Sequence, residues 1–297
     1  MTPIENCKVC NGSNFKELLK LKDYFLSQEE FSIYYCENCG FKFTHPIPDA
    51  ADLGKYYKSD KYVSHSDTKK GLFFNLYHLV KKQALRKKYK LITNFATKGN
   101  ILDYGCGTGD FLSAFKTNDW NCFGIEPDDD TRQYATDKQG LKITVPENIN
   151  NFEKNSFDVI SLWHVLEHIT DLNEKLNSFK ALLKSKGILV IAVPNADSFD
   201  AGYYQKYWAA YDVPRHLYHF NNKTLSLLLE KHGFEIIKKE KMLFDSFYVS
   251  MLSEQYKKNS FGFIKGIFIG LISNLKSSSK NYNASSFILI ARPKNDL

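Results

Sequence analysis

The stretch of sequence that decides the fold is Ile101-Leu102-Asp103-Tyr104-Gly105-Cys106-Gly107-Thr108-Gly109. A short apolar run, which predicts a β-strand, leads here into a glycine-rich turn that opens a helical pattern. Glycine adopts backbone angles that other residues avoid, and it lets a ligand approach the main chain closely. The spacing is G-x-G-x-G, which differs from the G-x-G-x-x-G of the dinucleotide fingerprint. By itself, the loop fits either a nucleotide-like ligand or a plain tight turn.

Apolar runs alternate with helical patterns on both sides of this loop. Strands are predicted at 101–104, 121–126, 142–145, 157–163, 187–193, 234–241 and 287–292. Helices are predicted at 109–117, 129–139, 172–183 and 223–232, and near-helical apolar spacing extends over 66–96. Strands that alternate with helices indicate βαβ units and a mainly parallel sheet. The expected fold is therefore α/β, a Rossmann-like sheet with helices on both faces.

Two carboxylates stand beside the glycine loop. Asp103 precedes the glycines, and Glu126 ends the next predicted strand. In a doubly wound sheet the carboxyl ends of neighbouring strands line one crevice. Glu126 can accept hydrogen bonds there from both hydroxyls of a ribose. Asp103 suits a cation such as the α-ammonium of an amino acid better than it suits a pyrophosphate.

Further motifs follow the loop in order: Gly124-Ile125-Glu126-Pro127, Phe157-Asp158-Val159-Ile160, Leu166-Glu167-His168, Leu183-Lys184-Ser185-Lys186-Gly187 and Val193-Pro194-Asn195. Together with the loop they make residues 101–234 resemble the class I S-adenosylmethionine-dependent methyltransferases. The resemblance implies S-adenosyl-L-methionine as cofactor, a seven-stranded sheet and an antiparallel last strand at 287–292. It places donor binding at Asp103, Tyr104, Gly105, Gly107, Gly109, Glu126, Pro127, Asn148 and Trp163. Asn148 or its neighbour Glu147 takes the place of the acidic residue that such enzymes often have beside the adenine.

The cysteines form a second pattern near the N-terminus. Cys7 and Cys10 make one C-x2-C unit, and Cys36 and Cys39 make another. Two such knuckles supply the four thiolates that structural zinc favours, and the alternative is a disulfide framework. A closed four-cysteine site leaves no open position for chemistry, so we expect a small zinc-ribbon-like module with a structural Zn2+. Cys106 and Cys122 fall outside the pattern and are interpreted as ordinary packing residues.

A cysteine module ahead of such a domain resembles the arrangement in bacterial sugar methyltransferases. This resemblance implies a small-molecule acceptor, a sugar or a nucleotide-linked saccharide. Some ribosomal RNA methyltransferases also begin with a zinc module, which makes an RNA methyltransferase an alternative. A non-catalytic binding protein that retains the cofactor fold is a further alternative.

The fourth predicted strand runs into Trp163-His164-Val165-Leu166-Glu167-His168. At a helix start, His164, Glu167 and His168 would share one face. They could include a general base for an acceptor hydroxyl, with His164 the preferred catalytic residue, or ligands of a divalent ion. The other interpretation is that Glu167 and His168 fix the local turn.

Residues 208–220 combine aromatic and polar side chains on a predicted loop after the fifth strand. Such a loop can stack against a ring and hydrogen-bond its hydroxyls, and an arginine can hold a phosphate through two bonds. The predicted acceptor-side residues are Trp208, Asp212, Arg215 and His219 for substrate binding and His216 for catalysis. A structural network of the same side chains is the alternative.

The predicted organisation is a zinc-binding module at 1–48, a helical cover segment at 49–98 and the methyltransferase domain at 99–297. Within that domain, 242–284 reads as an insertion that forms a lid or an interface. Its segment 261–275 has glycines at every fourth position beside apolar residues and flanking lysines, so a peripheral membrane contact is considered as well.

Charge and compartment add two expectations. The chain has 40 Lys and Arg against 33 Asp and Glu, with lysines concentrated at 81–90, which predicts either a solvated helix or a weakly basic face. The first residues carry no pattern of a secretory signal, so a cytoplasmic protein is expected. The sequence leaves the oligomeric state and the methylated atom open.

Overall fold

A computed structural model describes residues 4–57, 72–277 and 283–294. Its main sheet contains β4 (Asn100–Tyr104), β5 (Asn121–Ile125), β6 (Lys142–Thr144), β7 (Phe157–Trp163), β8 (Leu183–Pro194), β10 (Phe234–Met242) and β11 (Ser286–Pro293). The strand order is β10-β11-β8-β7-β4-β5-β6. β11 runs antiparallel to both of its neighbours, and the ladders from β8 to β6 are parallel. The predicted α/β fold with an antiparallel last strand is confirmed.

Helices cover the two faces of this sheet. They are α2 (Leu72–Thr93), α3 (Asp110–Lys116), α4 (Asp129–Gln139), α5 (Leu172–Leu182) and α7 (Asn222–Lys231). The central strands are buried on both faces, as in β4 and β8, because helices pack on each side. One face is filled by residues such as Leu102, Ile160 and Leu189, and the other by Ile101, Val159 and Val190. The part of the predicted 66–96 helix before residue 72 lies outside the described residues.

The N-terminal residues form a second, antiparallel sheet. Its strands are β1 (Phe15–Lys22), β2 (Glu30–Cys36) and β3 (Lys42–His45), followed by the short helix α1 (Ala50–Leu53). A fourth strand, β9 (Tyr218–His219), comes from the distant segment 208–220 and pairs with β3. Phe41 and Phe43 are fully buried, and the ring of Phe41 packs against the rings of Tyr218 and Phe220. The cysteine module therefore shares a sheet and a core with the methyltransferase domain.

The structure contains three further helices: α6 (Phe199–Tyr204), α8 (Asp245–Tyr256) and α9 (Gly262–Lys276). α8 and α9 occupy most of the predicted insertion and form a helical hairpin between β10 and β11. α9 covers the segment 261–275, whose glycine stripe indicated a helix, whereas α6 and α8 were not predicted. Among the described helices, none has the length and apolar character needed to cross a membrane.

Candidate active site

The glycine loop bends sharply between β4 and α3. The amides of Gly105 and Cys106 both donate to the carbonyl of Ile125, at 2.7 and 3.0 Å, which ties the loop to the end of β5. Gly105, Gly107 and Gly109 have φ values of +75°, +51° and +78°, in the region that side chains disfavour. A Cβ at Gly107 would meet no atom within 4 Å, so its main chain faces open space. The loop therefore leaves backbone open to a ligand.

Glu126 ends β5 directly opposite this loop. Its carboxylate accepts hydrogen bonds from the amides of Gly107 at 2.9 Å and Asp128 at 3.0 Å. These bonds fix the carboxylate and leave lone pairs for further donors. Burial raises the pKa of Glu126, and the two backbone amides oppose that effect. The arrangement suits the two adjacent hydroxyls of a ribose.

Asp103 lies at the end of β4 with only 3% of its surface exposed. It accepts a hydrogen bond of 2.6 Å from the hydroxyl of Ser161 on β7. Burial raises the pKa of Asp103 to about 7, although Ser161 and the positive charge of Lys88 oppose the rise. A buried carboxylate of this kind gains most from a cationic ligand.

Lys88, from the lysine-rich stretch 81–90, lies in the same crevice. Lys88 on α2 is half-buried, and its ammonium lies 3.9 Å from the centroid of the Trp163 ring. Burial lowers the pKa of Lys88, against the attraction of Asp103 and Asp245. Trp163 keeps its indole Nε1 buried without a hydrogen-bond partner among the described residues. The unsatisfied indole donor is open to an acceptor on a ligand.

The remaining predicted donor residues surround this centre. Asn148 donates to the hydroxyl of Thr144 at 2.8 Å and lines a cavity of about 230 Å³ beyond β5 and β6. Tyr104 is buried edge-on against Phe179, and the carbonyl of Pro127 accepts from Arg132 at 3.2 Å. Asn148 thus has a polar side chain toward an open cavity, whereas Tyr104 contributes mainly packing.

His164 follows β7 with a left-handed backbone, φ +58°. Its Nε2 lies 3.0 Å from a carboxylate oxygen of Asp245, and its Nδ1 lies 3.6 Å from Glu167. Burial lowers the pKa of His164, but the two carboxylates outweigh it and raise the pKa to about 9. At neutral pH the ring is an imidazolium, so it cannot accept a proton in this arrangement. Asp245, at the start of α8, was not predicted, because nothing in the local sequence links it to β7.

Glu167 is fully buried, and neither of its carboxylate oxygens has a hydrogen-bond partner among the described residues. His168 and His216 flank it, and ligand atoms of the three residues lie within 4.8 Å of one another. The Nδ1 of His168 and the Nδ1 of His216 each donate to a backbone carbonyl, that of Arg215 or Ala210, at 2.9 Å. Each ring therefore keeps its Nε2 as an acceptor. Burial and the neighbouring His216 lower the pKa of His168 to about 4, which keeps that ring neutral.

The structure thus adds His216 to the predicted trio of His164, Glu167 and His168. The Nε2 of His216 lies 4.0 Å from Glu167 Oε1, and the Nδ1 of His164 lies 3.6 Å from the same oxygen. Histidine nitrogens oriented by backbone carbonyls, together with a buried carboxylate, can bind a divalent ion or transfer a proton.

Arg215, predicted to hold a substrate phosphate, is 1% exposed and links the 208–220 segment to the N-terminal residues. It bonds to both oxygens of Asp23 at 2.9 and 3.4 Å and to both oxygens of Asp212 at 2.6 and 3.0 Å. Its last donor reaches the carbonyl of Tyr56 at 3.1 Å. All five N–H groups of the guanidinium are used, so none remains for a phosphate. The predicted substrate contacts of Arg215 and Asp212 do not fit this arrangement.

Trp208 and His219 are likewise turned into the protein. Trp208 is 2% exposed, and its indole donates to Asp200 at 2.7 Å. The buried Asp200 also accepts from Ser273 and Ser285, so it links α9 and the start of β11 to the 208–220 segment. His219 is 4% exposed and lies 3.1 Å from the hydroxyl of Thr44 in the cysteine module. Of the five predicted acceptor-side residues, His216 belongs to the cluster around Glu167, and Asp212 borders it, with its Oδ2 4.0 Å from His216 Nε2.

The four cysteines of the N-terminal module converge. Sulfur atoms of Cys7 and Cys39 are 3.6 Å apart, and those of Cys10 and Cys36 are 3.5 Å apart. Tetrahedral zinc with Zn–S bonds of about 2.3 Å needs sulfurs roughly 3.8 Å apart. The residues therefore fit a zinc ion, and the separations exclude disulfide bonds in this structure.

The methyltransferase domain family matches residues 77–239, more than half of the chain. With its fold and glycine loop, the chain belongs to this family and to the class I S-adenosylmethionine-dependent methyltransferases. The predicted enzyme class is thereby confirmed.

The curated relatives are also named as methyltransferases. The chain is 30% identical over 148 residues to a ubiquinone biosynthesis O-methyltransferase of Rhodopseudomonas palustris, covering 46% of this chain and 58% of the relative. It is 36% identical over 107 residues to the enzyme of that name from Actinobacillus pleuropneumoniae, covering 32% and 45%. The chain thus spans about half the length of the curated relatives it matches.

Solved structures agree on the fold. Phosphoethanolamine N-methyltransferase 2 of Haemonchus contortus covers 95% of this chain and 69% of its own, with a TM-score of 0.53 and 15% identity. An S-adenosylmethionine-dependent methyltransferase of Thermotoga maritima covers 74% of this chain and 94% of its own, with a TM-score of 0.50 and 18% identity.

Proposed function

We propose that the protein transfers the methyl group of S-adenosylmethionine to a hydroxyl of a small-molecule acceptor. The observation that carries this proposal is the position of two sets of residues at one edge of the sheet. The donor residues Asp103 and Glu126 end β4 and β5, and the Glu167 cluster follows β7, which pairs with β4. When bound, the donor supplies a methyl group attached to a sulfonium. The methyl group passes to the acceptor in an in-line displacement, and the sulfur is the leaving group.

Residues that already lie at the ends of the strands would bind the donor. Glu126 would accept from the ribose hydroxyls, and Asp103 would pair with the α-ammonium of the methionine part. The open backbone at Gly107 would allow close approach, and the unsatisfied Nε1 of Trp163 would find an acceptor on the donor. Asn148 would face the adenine from the cavity beyond β6.

His216 is the best candidate for the general base. Its Nδ1 already donates to Ala210, so Nε2 is the atom that would take the proton of the acceptor hydroxyl. The oxygen–methyl bond forms as the sulfur–methyl bond breaks, and the sulfonium becomes a neutral thioether. Glu167 would stabilise the resulting imidazolium.

A divalent ion at Glu167, His168 and His216 is a second way to activate the acceptor. The lack of a hydrogen bond to Glu167 among the described residues and the inward nitrogens of both histidines favour it. Such an ion would lower the pKa of a bound hydroxyl and so make a separate base unnecessary. Loss of activity on chelation and its return with Mg2+, Mn2+ or Zn2+ would identify this metal-dependent mechanism.

Two different observations each support a candidate class of acceptor. The cysteine module supports a sugar or a nucleotide-linked saccharide, as proposed from the sequence. The names of the curated relatives favour a phenolic hydroxyl of a quinone precursor as the second candidate. RNA is disfavoured because Phe41 and Phe43 of the module are buried and cannot stack on bases. The four cysteines would hold Zn2+ as a structural ion, which metal analysis of the purified protein would detect.

The experiment is a methyl-transfer assay with donor labelled on the methyl carbon. Parallel reactions would contain nucleotide sugars, short-chain catechols, a small-molecule extract or total RNA, and mass spectrometry would identify any labelled product. We expect a labelled O-methyl product from one hydroxyl class. Donor binding without transfer to any fraction would favour the non-catalytic alternative, and labelled RNA would contradict the small-molecule acceptor.

A further inference from the structure

The last helix of the chain shows a row of large apolar side chains to solvent. Phe261, just before α9, and Ile264, Phe268, Leu271 and Leu275 on α9 recur at intervals of three and four residues and form one stripe. Their exposed fractions are 76, 70, 61, 46 and 77%. We call these five residues the apolar ridge. A contiguous stripe of this kind marks an interaction surface more often than chance exposure.

Glycines explain why the ridge points outward. Gly262, Gly266 and Gly270 lie on the opposite side of α9, against α8. A Cβ at Gly266 would lie 2.6 Å from Met251 Cα, and one at Gly270 would lie 2.9 Å from Phe247 Cα. The helices therefore approach backbone to backbone, and the bulky residues of α9 are left for the outer side.

Charge indicates what covers the ridge. From residue 257 to residue 276 the sequence has four lysines, Lys257, Lys258, Lys265 and Lys276, and no Asp or Glu. Lys265 pairs with Glu254 of α8, and the other three lysines stand near the two ends of α9. A second copy of the chain packed on this surface would bring like charges together. An anionic bilayer would instead meet apolar side chains and lysines at once.

The ridge also leads to the active site. Asn274 near the end of α9 donates to the carbonyl of Leu243 at 2.9 Å, which places the β10–α8 turn beside Leu275. Leu243 and Phe244 in this turn are 44 and 45% exposed. The next residue, Asp245, contacts His164. The exposed apolar surface therefore continues to the residues around the acceptor.

We propose that the apolar ridge docks the protein on an anionic lipid bilayer. As a consequence that rests on the proposed function, the acceptor is presented at the membrane by a lipid chain. The bilayer would bury the ridge in its interfacial region, and the turn at Leu243 would place the acceptor site at that interface.

The test is flotation of the full chain with vesicles of phosphatidylcholine alone or with roughly a third phosphatidylglycerol. We expect binding to the anionic vesicles, weaker binding at high salt, and at least about a tenfold loss of affinity in the variant Ile264→Ser, Phe268→Ser. Leu227→Ser is the matched control, since Leu227 is also exposed but lies on α7. Circular dichroism checks the fold of each variant.

Equal flotation of the wild type and the double variant, or no flotation of the wild type, would overturn the proposal. So would a wild-type dimer in sedimentation that the double variant abolishes, because a second copy would then cover the ridge. Donor affinity, measured by calorimetry without lipid, separates the two proposals. It should be the same in the double variant and the wild type. If the wild type does not bind the donor, that result contradicts the proposed methyl transfer but not the membrane docking.

Discussion

The donor side and the acceptor side of the site differ in how they are built. The donor residues lie at the ends of two neighbouring strands, within one stretch from Asp103 to Glu126. The acceptor side brings together His164 and Glu167 after β7, His216 before β9 and Asp245 at the start of α8. The first depends on local sequence and sheet topology, and the second depends on contacts between distant segments. The comparison teaches that motif spacing predicts the grouping of the proposed donor residues but not which acceptor-side residues come together.

The largest expected effect lies at His216. His216→Ala should lower kcat by about 10²- to 10⁴-fold, the range for loss of a general base, while the donor Kd stays unchanged. His164→Gln should have a smaller effect on kcat, because His164 is held as an imidazolium by two carboxylates. Steady-state kinetics of both variants on the acceptor found above check this. A larger loss in His164→Gln would reverse the assignment.

The next largest effect is on the stability of the variant Arg215→Ala. Arg215 belongs to the same segment as His216, but its side chain points away from the site. Arg215→Ala should lower the free energy of unfolding by about 3–5 kcal/mol, because it leaves Asp23 as a buried unpaired carboxylate. Urea unfolding measures the loss. Unchanged stability together with a raised KM for the acceptor would restore the predicted phosphate contact.

These two residues show how far the sequence can be interpreted. The seven strands of the main sheet and the helices at 129–139 and 172–182 were predictable because apolar periodicity and glycine turns mark them locally. For the 208–220 segment the alternative of a structural network fits better than the predicted substrate contacts, because Arg215 and His219 contact Asp23 and Thr44 of the N-terminal module. Partners so far apart in sequence leave no spacing to detect.

The pH dependence of donor binding sharpens the donor side. Asp103 must be ionised to pair with an ammonium group, and burial raises its pKa to about 7. Donor affinity should therefore fall by up to about tenfold per pH unit as the pH drops below 7. Calorimetry between pH 5.5 and 7.0 checks the slope. Asp103→Asn should bind weakly with no such slope, and Lys88→Met should move the midpoint upward, because Lys88 helps to keep Asp103 ionised.

A smaller effect is expected in the pH dependence of stability at His164. The pKa of His164 is about 9 in the folded protein and 6.5 in the reference state. Its contribution to stability is therefore complete below pH 6.5 and is lost as the pH rises through 9. Thermal unfolding of the wild type should show this loss between those values, and His164→Gln should show less of it. Identical curves would mean that the pairs with Asp245 and Glu167 do not hold in solution.

The central claim is that the loop from Gly105 to Gly109 and the carboxylate of Glu126 bind S-adenosylmethionine. Calorimetric titration of the donor into the wild type and into Glu126→Ala tests it most directly. We predict one site per chain in the wild type and a Kd raised by at least about tenfold in the variant, since two charge-assisted hydrogen bonds are lost. Equal affinity in the two proteins, or no binding in the wild type, would contradict the account.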